Sequence, residues 1–247
     1  MSRTGVLVLR LAGPLQSWGA SSRFTRRTTE SAPTKSGVVG LLAAAAGVER
    51  GDDTRLAPLA ALRFGVRIDQ PGTRIRDFHT AHHGVTGASM PLSERFYLAD
   101  AVFVAAVEGD HTLLTGLHDA LRVPVYPPYL GRRSCPPAEP VDLGRYEDTT
   151  LEDALTSVPW QASAWYRRRH RPPQSLTVLR ETTAAESAES ADVLRDQPVS
   201  FDAAHRRHAL RTVVTTAVPT PLPAGDGSPH SAHDPFAALD VLENESA

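Results

Sequence analysis

The chain has 247 residues, 41% hydrophobic and 22% charged, enough to bury one large domain or two small ones. A single cysteine excludes an internal disulfide framework and a cysteine-based zinc cluster. The formal net charge of −2 does not announce a nucleic-acid binder, but the charges are segregated, and segregation can leave a basic groove on a neutral molecule. No apolar run reaches the length of a membrane span, and no charged-then-apolar signal peptide opens the chain. A cytoplasmic protein without a membrane partner is the expectation.

Gly5 to Ala12 is a nearly continuous apolar run, which predicts a central strand buried on both faces and ended by Gly13-Pro14. Leu15-Gln16-Ser17-Trp18-Gly19 follows, then Arg23, Arg26 and Arg27 around Phe24. Arginines interleaved with Trp and Phe suit phosphate clamping and base stacking, although an ordinary loop with Trp18 anchored in the core fits equally well. Thr34 is a good N-cap for an apolar helix reaching about Ala46, with Val38, Leu41, Leu42 and Ala45 on one face. A Walker A loop needs glycine where Thr29 and Thr34 stand, so nucleotide hydrolysis is rejected. Lys35 and Ser36 beside free helix N–H groups would still suit one phosphate.

A short helix is predicted over Asp52 to Leu62 and a strand over Leu62 to Ile68. Pro71 to Arg95 is polar and long for a structureless connection, which marks a functional protrusion carrying Arg74, Arg76, His79, His82 and His83. Those histidines lack a cysteine partner or a clear fourth ligand, so a zinc site is not favoured and no cofactor is assigned. Phe96 to Glu108 reads as one long strand and His111 to Leu121 as an amphipathic helix, with Val141 to Leu143 available as a final strand. That order is the βαββαβ ferredoxin-like pattern, an α+β fold. The remainder reads as a helix at Leu151 to Val158, a small β-rich region to residue 218, a solvated loop at Thr182 to Asp192 and a disordered tail from Pro219.

Between the palm pattern and this remainder lies Tyr126-Pro127-Pro128-Tyr129-Leu130-Gly131-Arg132-Arg133-Ser134-Cys135-Pro136-Pro137. Four prolines hold much of it extended, and Gly131 is the one point where it can turn sharply or let another backbone approach. Arg132, Arg133 and Ser134 beside Tyr129 supply forked phosphate donors next to a flat stacking face, which suits single-stranded RNA. The aromatic octapeptide of ordinary RNA-recognition motifs is absent, so binding would rely on loops.

Leu11 to Gly19, Pro33 to Leu42, Arg76 to Thr80 and Pro128 to Pro136 together resemble the CasD family of type I-E CRISPR Cascade, within the RAMP superfamily. The resemblance spans residues 5 to about 145 and, more weakly, 195 to 218. It implies a ferredoxin-like palm, a β-hairpin thumb at about 71–95 and a small C-terminal part. It also implies a non-catalytic subunit of an antiviral ribonucleoprotein that caps the 5′ handle of the guide RNA and contacts a backbone RAMP subunit and the large subunit. On this reading Arg23, Arg26, Arg27, Lys35, Ser36, Arg74, Arg76, Arg132, Arg133 and Ser134 hold the handle. Trp18, His79 and Tyr129 offer stacking faces. The rival class is a metal-independent endoribonuclease of CRISPR precursor RNA, as in type I-C relatives, with His79, His82 or His83 as general base and Lys35 or an arginine on the phosphorane. A third class, DNA reading, rests only on Arg167 to Arg171 as a supporting contact to target DNA.

Overall fold

The computed structural model describes residues 3–19, 26–183, 186 and 191–222. In chain order, β1 (Thr4–Ala12), β2 (Leu15–Gln16) and β3 (Arg26–Arg27) precede helices α1 (Lys35–Ala45) and α2 (Asp53–Ala60). Strand β4 (Arg63–Gln70), the pair β5 (Thr73–His79) and β6 (Ser93–Ala99), β7 (Val102–Asp110), α3 (His111–Arg122) and β8 (Asp142–Glu147) follow. The chain continues through α4 (Leu151–Ser157), α5 (Ala164–Arg169), β9 (Ser175–Glu181), β10 (Asp192–Ser200) and β11 (Arg207–Pro219).

The palm lies in one seven-stranded sheet of order β10-β11-β9-β4-β7-β1-β8. Within it β8-β1-β7-β4 has the ferredoxin-like order, with α1–α2 and α3 as its two crossovers. Strand β1 reads as a continuous apolar run because both of its faces are covered. Leu7, Leu9 and Leu11 pack beneath α1, α2 and α3, while Val6 and Val8 pack beneath α4 with Leu151, Ala154 and Leu155. Each fully buried aliphatic side chain of this kind contributes about 2 kcal/mol.

The reading of one long strand needs correction. Phe96 to Glu108 is two strands in different sheets, broken where Asp100 turns with φ +56° and its N–H donates to Pro14 O at 3.1 Å. Both sides of the break are apolar, so periodicity could not mark it. In the β-rich C-terminal region, β9 pairs antiparallel with β4 and extends the palm. Strand β4 is also less two-faced than its alternation of Phe64, Val66 and Ile68 with arginines implies. Arg67 is fully buried, with its guanidinium on both Asp69 oxygens at 2.7 and 2.9 Å and on the carbonyls of Leu155, Val158 and Pro159. All its donors are satisfied, as a buried charge requires.

The protrusion is a hairpin of β5 and β6, in register from Thr73↔Ala99 to His79↔Ser93. Its root is a small second sheet in which β6 also pairs with β2 and, in parallel, with β3. At the near end of the tail, Trp160 N donates to Pro221 O at 2.8 Å and Thr220 N to Gln174 O at 3.1 Å. The rest of the tail and most of the 182–192 loop lie outside the described residues. Among the described residues no helix is long and apolar enough to cross a membrane.

Candidate nucleic-acid interface

Three of the four motif stretches meet at Trp18, and they meet as architecture. The Trp18 indole is fully buried, and its Nε1 donates to Gln16 Oε1 at 3.0 Å, while Gln16 in turn donates to Leu11 O and Ala101 O. A Cβ at Gly37 of α1 would sit 2.8 Å from the indole, and a Cβ at Gly131 would sit 1.9 Å from Ser17 O. Gly131 also holds φ +83°, so only glycine lets the proline-rich loop close on this segment. Ser17 N donates to Leu130 O at 3.1 Å and Trp18 N to Thr29 Oγ1 at 2.9 Å. Trp18 as a stacking face is therefore corrected: it is the core pin that fixes the loop to α1.

Lys35 is corrected as well. Its ammonium is buried against Glu181 Oε1 at 2.8 Å, and its backbone N–H donates to Asp196 Oδ2 at 2.8 Å. Arg211 closes the cluster with Nε and Nη2 on Asp196 at 2.5 and 2.9 Å. The anion at the start of α1 is thus a carboxylate of the protein, and Thr34 caps Gly37 N at 3.2 Å as expected. Burial pulls the Lys35 pKa below its ordinary 10.5 against the opposing pull of Glu181. Ser36 is nearly buried, with its hydroxyl toward Thr34 Oγ1 at 3.5 Å.

What remains exposed is a groove running past the start of α1. One cavity of about 810 Å³ is walled by the small-residue face of α1 (Ser36, Gly37, Gly40), by Tyr129 and Arg133 of the loop, and by Phe201 and His208. A second, of about 1380 Å³, adjoins it and is walled by Arg27, Arg132, Arg195, Arg206, Arg207 and Arg211. Glu30 and Asp196 share that wall, the latter already held by Arg211. Arg132 is a strut in this wall. Its Nη2 donates to Arg27 O at 2.9 Å and its guanidinium lies over the Tyr97 ring at 4.8 Å, but Nη1 is buried without a partner among the described residues. Arg133 is exposed; Ser134 is exposed too, but its hydroxyl turns toward Cys135 Sγ at 3.9 Å and it lines neither cavity.

The thumb separates its candidates by face. Arg74 and Arg76 point to one side of β5, where Arg74 donates to Thr29 O at 3.1 Å and Arg76 lies over the Phe78 ring at 4.8 Å. His79 points to the other side and pairs with Asp77 at 2.5 Å. His82 and His83 are tied into the tip, to Gly87 O at 3.2 Å and Thr86 N at 3.3 Å. Arg26 stacks on Phe96 at 5.4 Å near the thumb root, and Arg23 lies outside the described residues.

The residue reading missed Arg195, Arg206, Arg207, Phe201 and His208. Their stretch reads as strand, and only the spatial return of β10 and β11 to α1 brings them to the groove. His208 sits below its ordinary pKa of 6.5, first by burial and then by the Arg206 charge, so it faces the groove as neutral imidazole at pH 7.

Residues 6–214 match the family model described as CRISPR-associated protein Cas5, a span running from β1 into β11 and including both groove walls. The chain belongs to the Cas5 family of CRISPR-associated proteins. Within that family it is 36% identical over 167 residues to the CRISPR system Cascade subunit CasD of Escherichia coli K12, covering 60% of this chain and 75% of the relative. It superposes on the crystal structure of a Cas protein with TM-score 0.69 at 37% identity, covering 88% of this chain and 98% of that one. It also superposes on a chain of a CRISPR RNA-guided surveillance complex with TM-score 0.68 at 33% identity, covering 87% and 91%. The Cas5 family match and the palm and hairpin observed in this chain agree with the resemblance of the four motifs, although Trp18 and Lys35 serve the core rather than the surface.

Proposed function

We propose that this Cas5-family chain is a Cascade subunit that caps the 5′ handle of a CRISPR guide RNA by binding, without cutting it, in antiviral defence. The observation that carries the reading is the arginine-walled groove at the root of the thumb. A row of guanidiniums holds a ribose-phosphate strand in bidentate forks, and the adjoining cavity with Tyr129, Phe201 and His208 offers flat faces to an unpaired base. The open edges of the sheet at β8 and β10, together with the thumb, are surfaces for the backbone and large subunits.

The endoribonuclease reading has weaker support. It needs a histidine and a cation around one phosphate, whereas Lys35 is committed to Glu181 and the thumb histidines are held by Asp77 or by the tip. The test uses the purified full chain with handle-bearing RNA and with precursor repeat RNA in EDTA. Tight, salt-sensitive handle binding with the precursor left intact is expected. Metal-independent cleavage that His79→Ala abolishes would replace this reading with the rival one.

A further inference from the structure

The basic run at Arg167–Arg171 takes no part in the groove. Arg167, Arg168 and Arg169 end α5 and Arg171 lies just past it; the helix seats on the sheet through Tyr166, whose ring meets Trp160 edge-on at 6.4 Å and stacks on His170 at 4.3 Å. The floor beneath is Trp160, Leu176 and Val218, on the face of the sheet that α4 covers. The groove is floored by Val66 and Leu179, whose side chains pack on the opposite face with α1. Arg167, Arg168, Arg169 and Arg171 are exposed, and among the described residues Arg167, Arg168 and Arg171 have no carboxylate within ion-pair reach. Arg169 lies over Trp165 at 5.9 Å, and Trp165 is 38% exposed while Trp18 and Trp160 are buried.

We propose that this surface holds a segment of single-stranded DNA, separate from the guide handle. Consecutive residues on a helix point about 100° apart, so Arg167 and Arg168 diverge from α5 while Arg171 extends the row past its end, a spread that suits a curved phosphate backbone rather than a flat acidic protein face. An accessible indole beside them selects for unpaired bases, since bases in a duplex have no free face to stack. DNA is the fitting strand because the guide lies across the other face of the sheet. An RNA guide that pairs with one DNA strand leaves the other single. The inference rests on the guide-binding reading for the identity of the strand, but its geometry is independent of the groove.

The test loads the full chain with saturating handle RNA and titrates it with an oligothymidylate. Binding should persist in the loaded protein and quench tryptophan emission, and W165F should remove the quench. R167E/R168E/R171E should weaken oligothymidylate binding about tenfold or more and lower its salt slope by about 2, at about 0.7 per lost contact, with handle affinity and thermal midpoint unchanged. R167K/R168K/R171K should retain most of the binding. Unchanged DNA binding in the charge-reversed variant overturns the inference. So does competition between handle RNA and oligothymidylate, which would assign the patch to the guide. Loss of complex assembly with both nucleic-acid affinities intact would assign it to an acidic protein and overturn it equally. If the unmodified chain fails to bind handle RNA, the capping reading falls; the DNA titration of unloaded protein still decides this one.

Discussion

Arg132 and Arg133 are adjacent in sequence yet differ in mechanical role. Arg132 braces Arg27 and lies on Tyr97, so Arg132→Ala should disturb the groove wall as well as remove a donor. Arg133→Ala removes only an exposed cation beside the smaller cavity. Handle affinity should fall for both variants, with the salt slope reduced by about 0.7 in Arg133→Ala. Arg132→Lys should fail to rescue, because an ammonium cannot both stack on the ring and fork to a carbonyl and a phosphate. Filter binding across a salt series separates the two. His208 gives a pH signature at the same scale. Its folded pKa lies below 6.5, so between that value and 6.5 the unfolded chain binds more proton. The stability it contributes is full above pH 6.5 and is lost as pH falls through that window. His208→Gln should flatten this part of the acid limb of a thermal-midpoint profile. Handle RNA should oppose the effect, since a phosphate near the ring favours imidazolium, and affinity should rise as pH falls below 6.5 in the parent but not in the variant.

Elements with strong periodicity or clear caps were legible in the sequence, and those defined by partners were not. Thr34 announced the start of α1, and the leucine spacing announced α3. The division between β6 and β7 was hidden because both are apolar, and the fate of Arg67 was hidden because its partners, Asp69 apart, come from the α4 end of the chain. Lys35 was misread for the same reason: nothing near it in sequence reveals a carboxylate arriving from Asp196. The thumb was legible as a protrusion but not as two faces. Its tip is bonded mainly to itself, through His83 N to Ala88 O and Met90 N to Ala81 O. Replacing residues 80–91 by a short Gly-Ser turn should therefore shift the thermal midpoint by no more than about 2 °C. Native mass spectrometry of reconstituted complexes should show the loss elsewhere, as RNA-loaded assemblies that fail to end at the handle.

At the scale of the molecule, the groove exists because two distant parts of the chain are fastened together. Lys35 and Arg211 alternate with Glu181 and Asp196 in a four-charge cluster, Lys35 and Asp196 buried and the other two half-buried, that joins the start of α1 to β9, β10 and β11. Lys35→Met should leave the Glu181 carboxylate with Arg211, 3.7 Å away, as its remaining cation and the Phe64 N–H at 3.2 Å as its backbone donor, and cost about 3 kcal/mol. For a chain of this size that lowers the midpoint by about 6–12 °C in a thermal melt, with near-normal handle affinity in the protein that remains folded. Lys35→Glu should unfold the chain, because it sets a third carboxylate beside Glu181 and Asp196.

The same fastening sets an order of events during synthesis. One wall of the groove is made early, from Arg27 and the loop at Arg132, and the other is made later, from Arg195 to Arg211. A ribosome adds roughly 5–20 residues per second, so for several seconds the nascent chain carries the first wall but only half a grip. Guide capture by both walls then waits until β10 and β11 have emerged and folded back onto the start of α1.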